Sequence, residues 1–61
     1  MKFTRTEFGA LVDSGKVSLY RVPVIWPGGE PPVLAGVRAQ YQGRTYYVTR
    51  WDGQSVELEA Q

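Results

Sequence analysis

Residues 3–15 read Phe-Thr-Arg-Thr-Glu-Phe-Gly-Ala-Leu-Val-Asp-Ser-Gly, and this stretch sets the fold class. Thr4-Arg5-Thr6-Glu7 has the spacing of a capping box, in which the Thr4 hydroxyl accepts from the Glu7 amide and the Glu7 carboxylate accepts from the Thr4 amide. Phe3 just before the cap and Phe8 at the fourth helical position have the spacing of a hydrophobic staple. Both signals fix one helix start. Phe8, Leu11 and Val12 then recur at helical spacing and give one apolar face. Asp13-Ser14-Gly15 ends the element, with Gly15 as the left-handed cap. The expected helix runs from Arg5 to Ser14 and is too short to persist without a surface to pack on. Gly9 inside it costs about 1 kcal/mol relative to Ala, which is repaid if the glycine lets the helix approach a sheet closely.

Downstream, the pattern changes to strands and turns. Val17–Trp26 is rich in β-branched and aromatic residues and reads as a first strand, with Pro23 confining it to a sheet edge or a bulge. Pro27-Gly28-Gly29-Glu30-Pro31-Pro32 is a loop with strong turn chemistry. Val33–Tyr41, Thr45–Trp51 and Ser55–Ala60 follow as strands. A three-residue turn around Tyr41-Gln42-Gly43 and a two-residue turn at Asp52-Gly53 join them. With these turns one sheet face carries Ala35, Val37, Ala39, Thr45, Tyr47, Thr49, Trp51, Val56 and Leu58. The other carries Arg38, Gln40, Arg44, Tyr46, Val48, Arg50, Ser55, Glu57 and Glu59. This register sorts apolar from polar better than a one-residue slip does. In the first strand Tyr20, Val22, Val24 and Trp26 form the inward set. The expected architecture is α+β: one short N-terminal helix packed on a four-stranded antiparallel β-meander. A small SH3-like barrel is the alternative and would need a fifth strand from an extended N-terminus.

Sixty-one residues make one domain, residues 1–61. A chain this short buries only about 60% of the surface its unfolded form exposes. It contains no cysteine and no histidine, so neither disulfides nor a zinc clip is expected to reinforce it. Two Trp, four Tyr and two Phe provide the core instead, each burying about 150–250 Å² when enclosed. The sequence has no apolar run of about 18 residues and no leader pattern, so no membrane span is expected and a cytoplasmic location is.

The residue types argue against catalysis. Without His or Cys the usual general base and thiol nucleophile are missing. Glu7 is committed to the cap and Asp52 to a turn. Glu57 and Glu59 on one strand face read as a solvated surface beside Arg50 and Arg44 rather than as an acid/base pair. No spacing suggests a metal site or a phosphate loop, so no cofactor is expected.

Three surfaces remain as binding candidates. Arg38, Arg44, Tyr46 and Arg50 interleave cations with an aromatic on the open face, an arrangement that can stack bases and follow phosphates. The loop from Trp26 through Glu30 to Pro32 joins an aromatic to a stiff proline segment, a natural protein contact. The C-terminal strand, as an open edge, offers pairing to a partner or to a homodimer mate. With a net charge of only +1 and acids sharing the sheet face, a nucleic-acid target is the weaker reading. The sequence therefore points to a small non-enzymatic interaction module of regulator or inhibitor type. A protein partner through the sheet face or proline loop is expected, with single-stranded DNA or RNA on the Arg/Tyr face as the alternative.

Overall fold

In a computed structural model that describes all 61 residues, the helix begins where its capping box places it. Thr4 Oγ1 accepts from the Glu7 amide at 3.0 Å, and Glu7 Oε1 accepts from the Thr4 amide at 2.9 Å. The Phe3 and Phe8 rings meet with centroids 5.7 Å apart, closing the staple. Helix α1 spans Arg5–Asp13, with Ser14 as its C-cap. Gly15 follows at φ +77°. The Gly15 and Lys16 amides donate to the Val12 and Leu11 carbonyls at 3.0 and 2.9 Å, the two bonds of a Schellman closure. No helix of the chain is long and apolar enough to cross a membrane.

The sheet has five strands rather than four: β1 (Lys2–Thr4), β2 (Val17–Arg21), β3 (Val37–Tyr41), β4 (Arg44–Trp51) and β5 (Ser55–Ala60). They lie in the order β1-β5-β4-β3-β2, every neighbour pair antiparallel. The extra strand is the N-terminus, which pairs Phe3 with Val56 before turning directly into α1. An extended N-terminus and a capped helix thus coexist, and the sheet stays open rather than closing into a barrel. Because β1 covers β5, the C-terminal strand is not a free edge. The open edges are β1 and β2.

The first expected strand stops at Arg21, not Trp26, and the second starts at Val37, not Val33. Pro23 therefore lies beyond β2 and guards no ladder. The intervening Val22–Gly36 segment is tied at its base, where the Val22 amide donates to the Gly36 carbonyl at 2.8 Å. The phase of β2 is also the reverse of the expected one. Its register with β3 pairs Leu19 with Ala39 and Tyr20 with Arg38, so Val17, Leu19 and Arg21 lie on the helix side and Tyr20 on the open side.

The turn between β3 and β4 has two residues, not three. Tyr41 pairs with Arg44 and Ala39 with Tyr46, and both Gln42 (φ +52°) and Gly43 (φ +75°) are left-handed, as a type I′ hairpin requires. Tyr46 and Val48 therefore join Ala39 on the helix side. A bulge between Val48 and Arg50 then shifts the ladder, so that Val48 faces Leu58 but Trp51 faces Val56. The core beneath α1 is Phe8, Val17, Ala39, Tyr46, Val48, Val56 and Leu58. Phe3, Leu11, Val12, Leu34, Val37 and Tyr41 pack around it.

Gly9 does not mediate close packing: a Cβ built there meets no atom within 4 Å. Gly36 is the tight position, where a Cβ would lie 2.6 Å from the Val22 carbonyl oxygen and 3.2 Å from Val24 Cγ2. Two substitutions to alanine should accordingly act in opposite directions. In chemical denaturation Gly9→Ala is expected to add about 0.5–1 kcal/mol of stability by relieving the helix penalty of glycine. Gly36→Ala is expected to remove about 1–3 kcal/mol, as overpacking against backbone does.

Candidate functional site

The helix is too small for the sheet it covers. Nine residues make a rod of about 14 Å, whereas five strands at about 4.8 Å spacing span about 19 Å. Phe8 is the only helix residue fully buried, and the β2 side of the inner face is left partly bare. A cleft of about 380 Å³ opens there, lined by Leu19, Tyr20, Arg21, Leu34, Val37 and Trp51. A second one of about 160 Å³ runs along the helix past Arg5, Phe8, Gly9, Val12 and Asp13, and shares Leu19 and Trp51 with the first. Leu19 and Trp51 remain 38% and 37% exposed.

Trp51 is held in place rather than left loose. Its ring stands edge-on to Phe8 with centroids 5.4 Å apart. The Arg5 guanidinium lies 5.3 Å from the Trp51 ring centroid, a cation–π distance, while its Nη1 donates to the Asp52 carbonyl at 2.8 Å. The Asp52 carboxylate accepts from the amides of Gln54 and Ser55, each at 2.8 Å. These two bonds hold its carboxyl below the ordinary value. The turn at the end of β4 thus orients both the tryptophan and the arginine that stacks on it.

The loop beyond Val22 adds further apolar surface. Leu34 forms one wall of the larger cleft. Farther out, Ile25 (97% exposed), Val33 (79%) and Trp26 (47%) project into solvent. Glu30 is exposed in the same loop. The turn at Gly28 and Gly29 has both residues at positive φ, a conformation that side chains resist.

The cluster expected on the open face is divided by the observed register. Arg38 and Arg50 are on that face, but Tyr46 is buried on the helix side and Arg44 sits at the hairpin end, opposite Tyr41. The reason is the two-residue turn, which moves β4 by one position relative to β3. The exposed aromatic beside Arg38 is Tyr47, with the guanidinium 4.5 Å from its ring centroid. The pairings of Tyr20 with Arg38, Arg38 with Tyr47 and Tyr47 with Glu59 set these four residues in one row across β2, β3, β4 and β5. Arg38 Nη1 also donates to the Ala35 and Val37 carbonyls at 2.8 and 3.1 Å. Arg50 lies between Glu57 at 3.4 Å and Asp52 at 3.8 Å. Both cations are thus occupied within the chain. Tyr47, Leu34 and Trp51 were not singled out as contact residues by sequence reasoning. The Gln42-Gly43 pair was the one signal that would have found the tyrosine, had it been read as a two-residue turn.

In comparison with known proteins, the chain matches no protein-family model, and no curated protein or solved structure is significantly similar to it.

Two carboxyls at turn and cap positions link stability to acid. Glu7 is lowered from 4.5 by its bonds to Thr4, first the backbone amide and then the hydroxyl. Asp52 is lowered from 3.8 by the Gln54 and Ser55 amides. Because both folded values are depressed, their contribution is complete above the unfolded values and is lost as pH falls through the folded ones. Urea titrations at neutral pH and near pH 3 should show a smaller acid loss in Glu7→Gln/Asp52→Asn than in the parent. The amide side chains keep the acceptor oxygens but do not titrate.

Proposed function

We propose that the chain is a non-enzymatic protein-binding module of regulator or inhibitor type. Its contact surface is the Leu19–Leu34–Val37–Trp51 cleft together with the loop that carries Ile25, Trp26, Glu30 and Val33. The observation that carries this reading is the concentration of large, solvent-facing apolar side chains beside a pre-oriented tryptophan. Contiguous apolar surface rimmed by polar groups marks interaction sites, and aromatic anchors in pockets carry most of the energy of protein interfaces. Arg21 at the rim and Glu30 in the loop supply the polar border.

The open face supports a nucleic-acid reading less well. Stacking platforms for single strands need free cations beside exposed aromatics. Here Arg38 is bonded to its own strand and covers Tyr47, and Arg50 is flanked by two carboxylates.

The test is capture of partners from a host lysate on immobilised protein, with substitutions in the loop, the cleft and the open face compared. Trp26→Ala and Leu34→Asp are each expected to weaken a captured protein by about 2 kcal/mol or more, the scale of an interface hot spot. Gln40→Ala on the open face should leave capture unchanged. A partner retained equally by all three variants would refute the assignment of the surface. Tight binding of a mixed-sequence single-stranded oligonucleotide at low salt, falling steeply as salt rises, would replace the protein reading with the nucleic-acid one.

A further inference from the structure

The β2 edge is unsatisfied and is guarded only by Arg21 at its end. The Val22–Gly36 bond fixes the phase of the β2–β3 ladder. In an antiparallel pair, hydrogen-bonded and non-hydrogen-bonded residues alternate, so the N–H and C=O groups of Val17, Leu19 and Arg21 point away from β3. No strand lies on that side. Exposed edges are normally blunted by proline, a bulge or charged side chains, inward-pointing ones included. The five residues Val-Ser-Leu-Tyr-Arg contain no proline, lysine or bulge, and their one charge is Arg21 at the strand's end. The other edge, β1, has only three residues and begins at Lys2.

We propose that a second copy of this chain pairs along β2, antiparallel, about a two-fold axis at Leu19. This register is self-complementary, as an isologous contact must be. Leu19 meets the partner's Leu19, Val17 meets the partner's Arg21, and Ser18 meets the partner's Tyr20. The outward-pointing residues fall opposite one another, so the Leu19–Leu19 and Val17–Arg21 pairs exchange both of their hydrogen bonds, while Ser18 and Tyr20 form the intervening non-hydrogen-bonded pairs. No like charges are opposed.

Two further observations favour a second copy as the occupant. The first is charge. Val17, Leu19 and Arg21 lie on the helix side of the sheet, so the partner's Arg21 arrives beside Val17, below the C-terminal end of α1. Asp13 stands at that end, in the last turn of a helix that has no basic residue there. A carboxylate is unfavourable at the negative end of the helix dipole, and a cation is favourable. Neither Asp13 nor Arg21 has an ionic partner within its own chain. The second observation is area. A compact monomer of 6.9 kDa is expected to expose about 4,000 Å², and this chain exposes 4465 Å². Its radius of gyration is 12.0 Å against about 10.5 Å for a compact chain of this length. The surplus, about 500 Å², is divided between the protruding loop, where Ile25 and Val33 are 97% and 79% exposed, and the bare β2 side around Leu19 and Trp51. In the pair the two apolar clefts lie on the same side of one continuous sheet and meet at Leu19. The proposal does not depend on the identity of any other partner.

Sedimentation of the full chain from micromolar to millimolar concentration, with amide hydrogen exchange followed by NMR, tests the proposal. The expected result is a mass that doubles with concentration and Leu19 and Arg21 amides that become protected in parallel. Arg21→Asp should weaken the dimer by at least about tenfold, the effect of opposing two carboxylates, and Asp13→Arg/Arg21→Asp should restore it. A chain that stays monomeric at millimolar concentration would overturn the proposal. So would a dimer in which the Leu19 and Arg21 amides still exchange freely, or one that Arg21→Asp leaves unchanged. Loss of partner capture by Trp26→Ala alone would leave the dimer intact, so the two readings fail separately.

Discussion

The Phe8 ring, 1% exposed, lies between Phe3 at 5.7 Å and Trp51 at 5.4 Å, and the other parts of the fold are arranged around this contact. Phe3 belongs to β1, Phe8 to α1 and Trp51 to the end of β4. One cluster therefore ties the first strand to the helix and the helix to the middle of the sheet. Burying a phenylalanine contributes about 1.5–3 kcal/mol, a large share of the stability of a domain with seven buried residues. The capping box adds direction to this adhesion. It fixes the angle at which the chain leaves β1, and that angle determines where Phe8 lands. The Arg5 amide, donating to the Gln54 carbonyl at 3.0 Å, pins the same junction to the β4–β5 turn.

Trp51 reaches Phe8 only because β4 changes phase. Tyr46 and Val48 face the helix as even-numbered residues, and Trp51 faces it as an odd-numbered one. The bulge between Val48 and Arg50 makes both possible, and the Thr49 hydroxyl donates to the Glu57 carbonyl at 3.3 Å across it. A bulge inserts one residue and re-aims the side chains beyond it. Here it brings the second tryptophan of the chain to the edge of the core, where it seals Phe8 on one side and walls the cleft on the other.

Local signals in the sequence were legible and non-local ones were not. The cap, the staple and Gly15 each depend on residues within a turn of one another, and α1 matches their reading to within one residue at its end. Ser55–Ala60 was also legible, with its alternating Val56 and Leu58. The face assignment failed for two physical reasons. Gln42 is a residue with no preference for positive φ, so Gln42-Gly43 did not announce a type I′ turn. The bulge at Thr49 then made one straight phase along β4 appear to sort the residues, by counting Trp51 and Tyr47 as one set. The β1 strand escaped because three residues show no periodicity. The Val22–Trp26 stretch has strand composition but no neighbour to pair with beyond Gly36, and Pro23 supplies no amide for one. Consequently Glu30 falls in the loop where its turn chemistry puts it, whereas Trp26, expected at the inward end of the first strand, lies in that loop as well, and Tyr46 and Tyr47 exchange faces.

A helix shorter than its sheet is wide has a consequence for every surface described above. The Schellman closure at Gly15 ends α1 against β1, β5 and the start of β2, and the chain drops straight into β2 with the outward backbone of that edge unpaired. The bare patch around Leu19 and the open edge therefore lie together on β2. Apolar burial is short in a 61-residue chain, and most of the large side chains left out of the core gather on the β2 side and the loop it leads into, with Met1 and Tyr47 the exceptions. That asymmetry is the feature on which the proposed contact surface rests. A core limited only by chain length would leave its exposed apolar groups distributed around the domain, as single surface hydrophobes usually are.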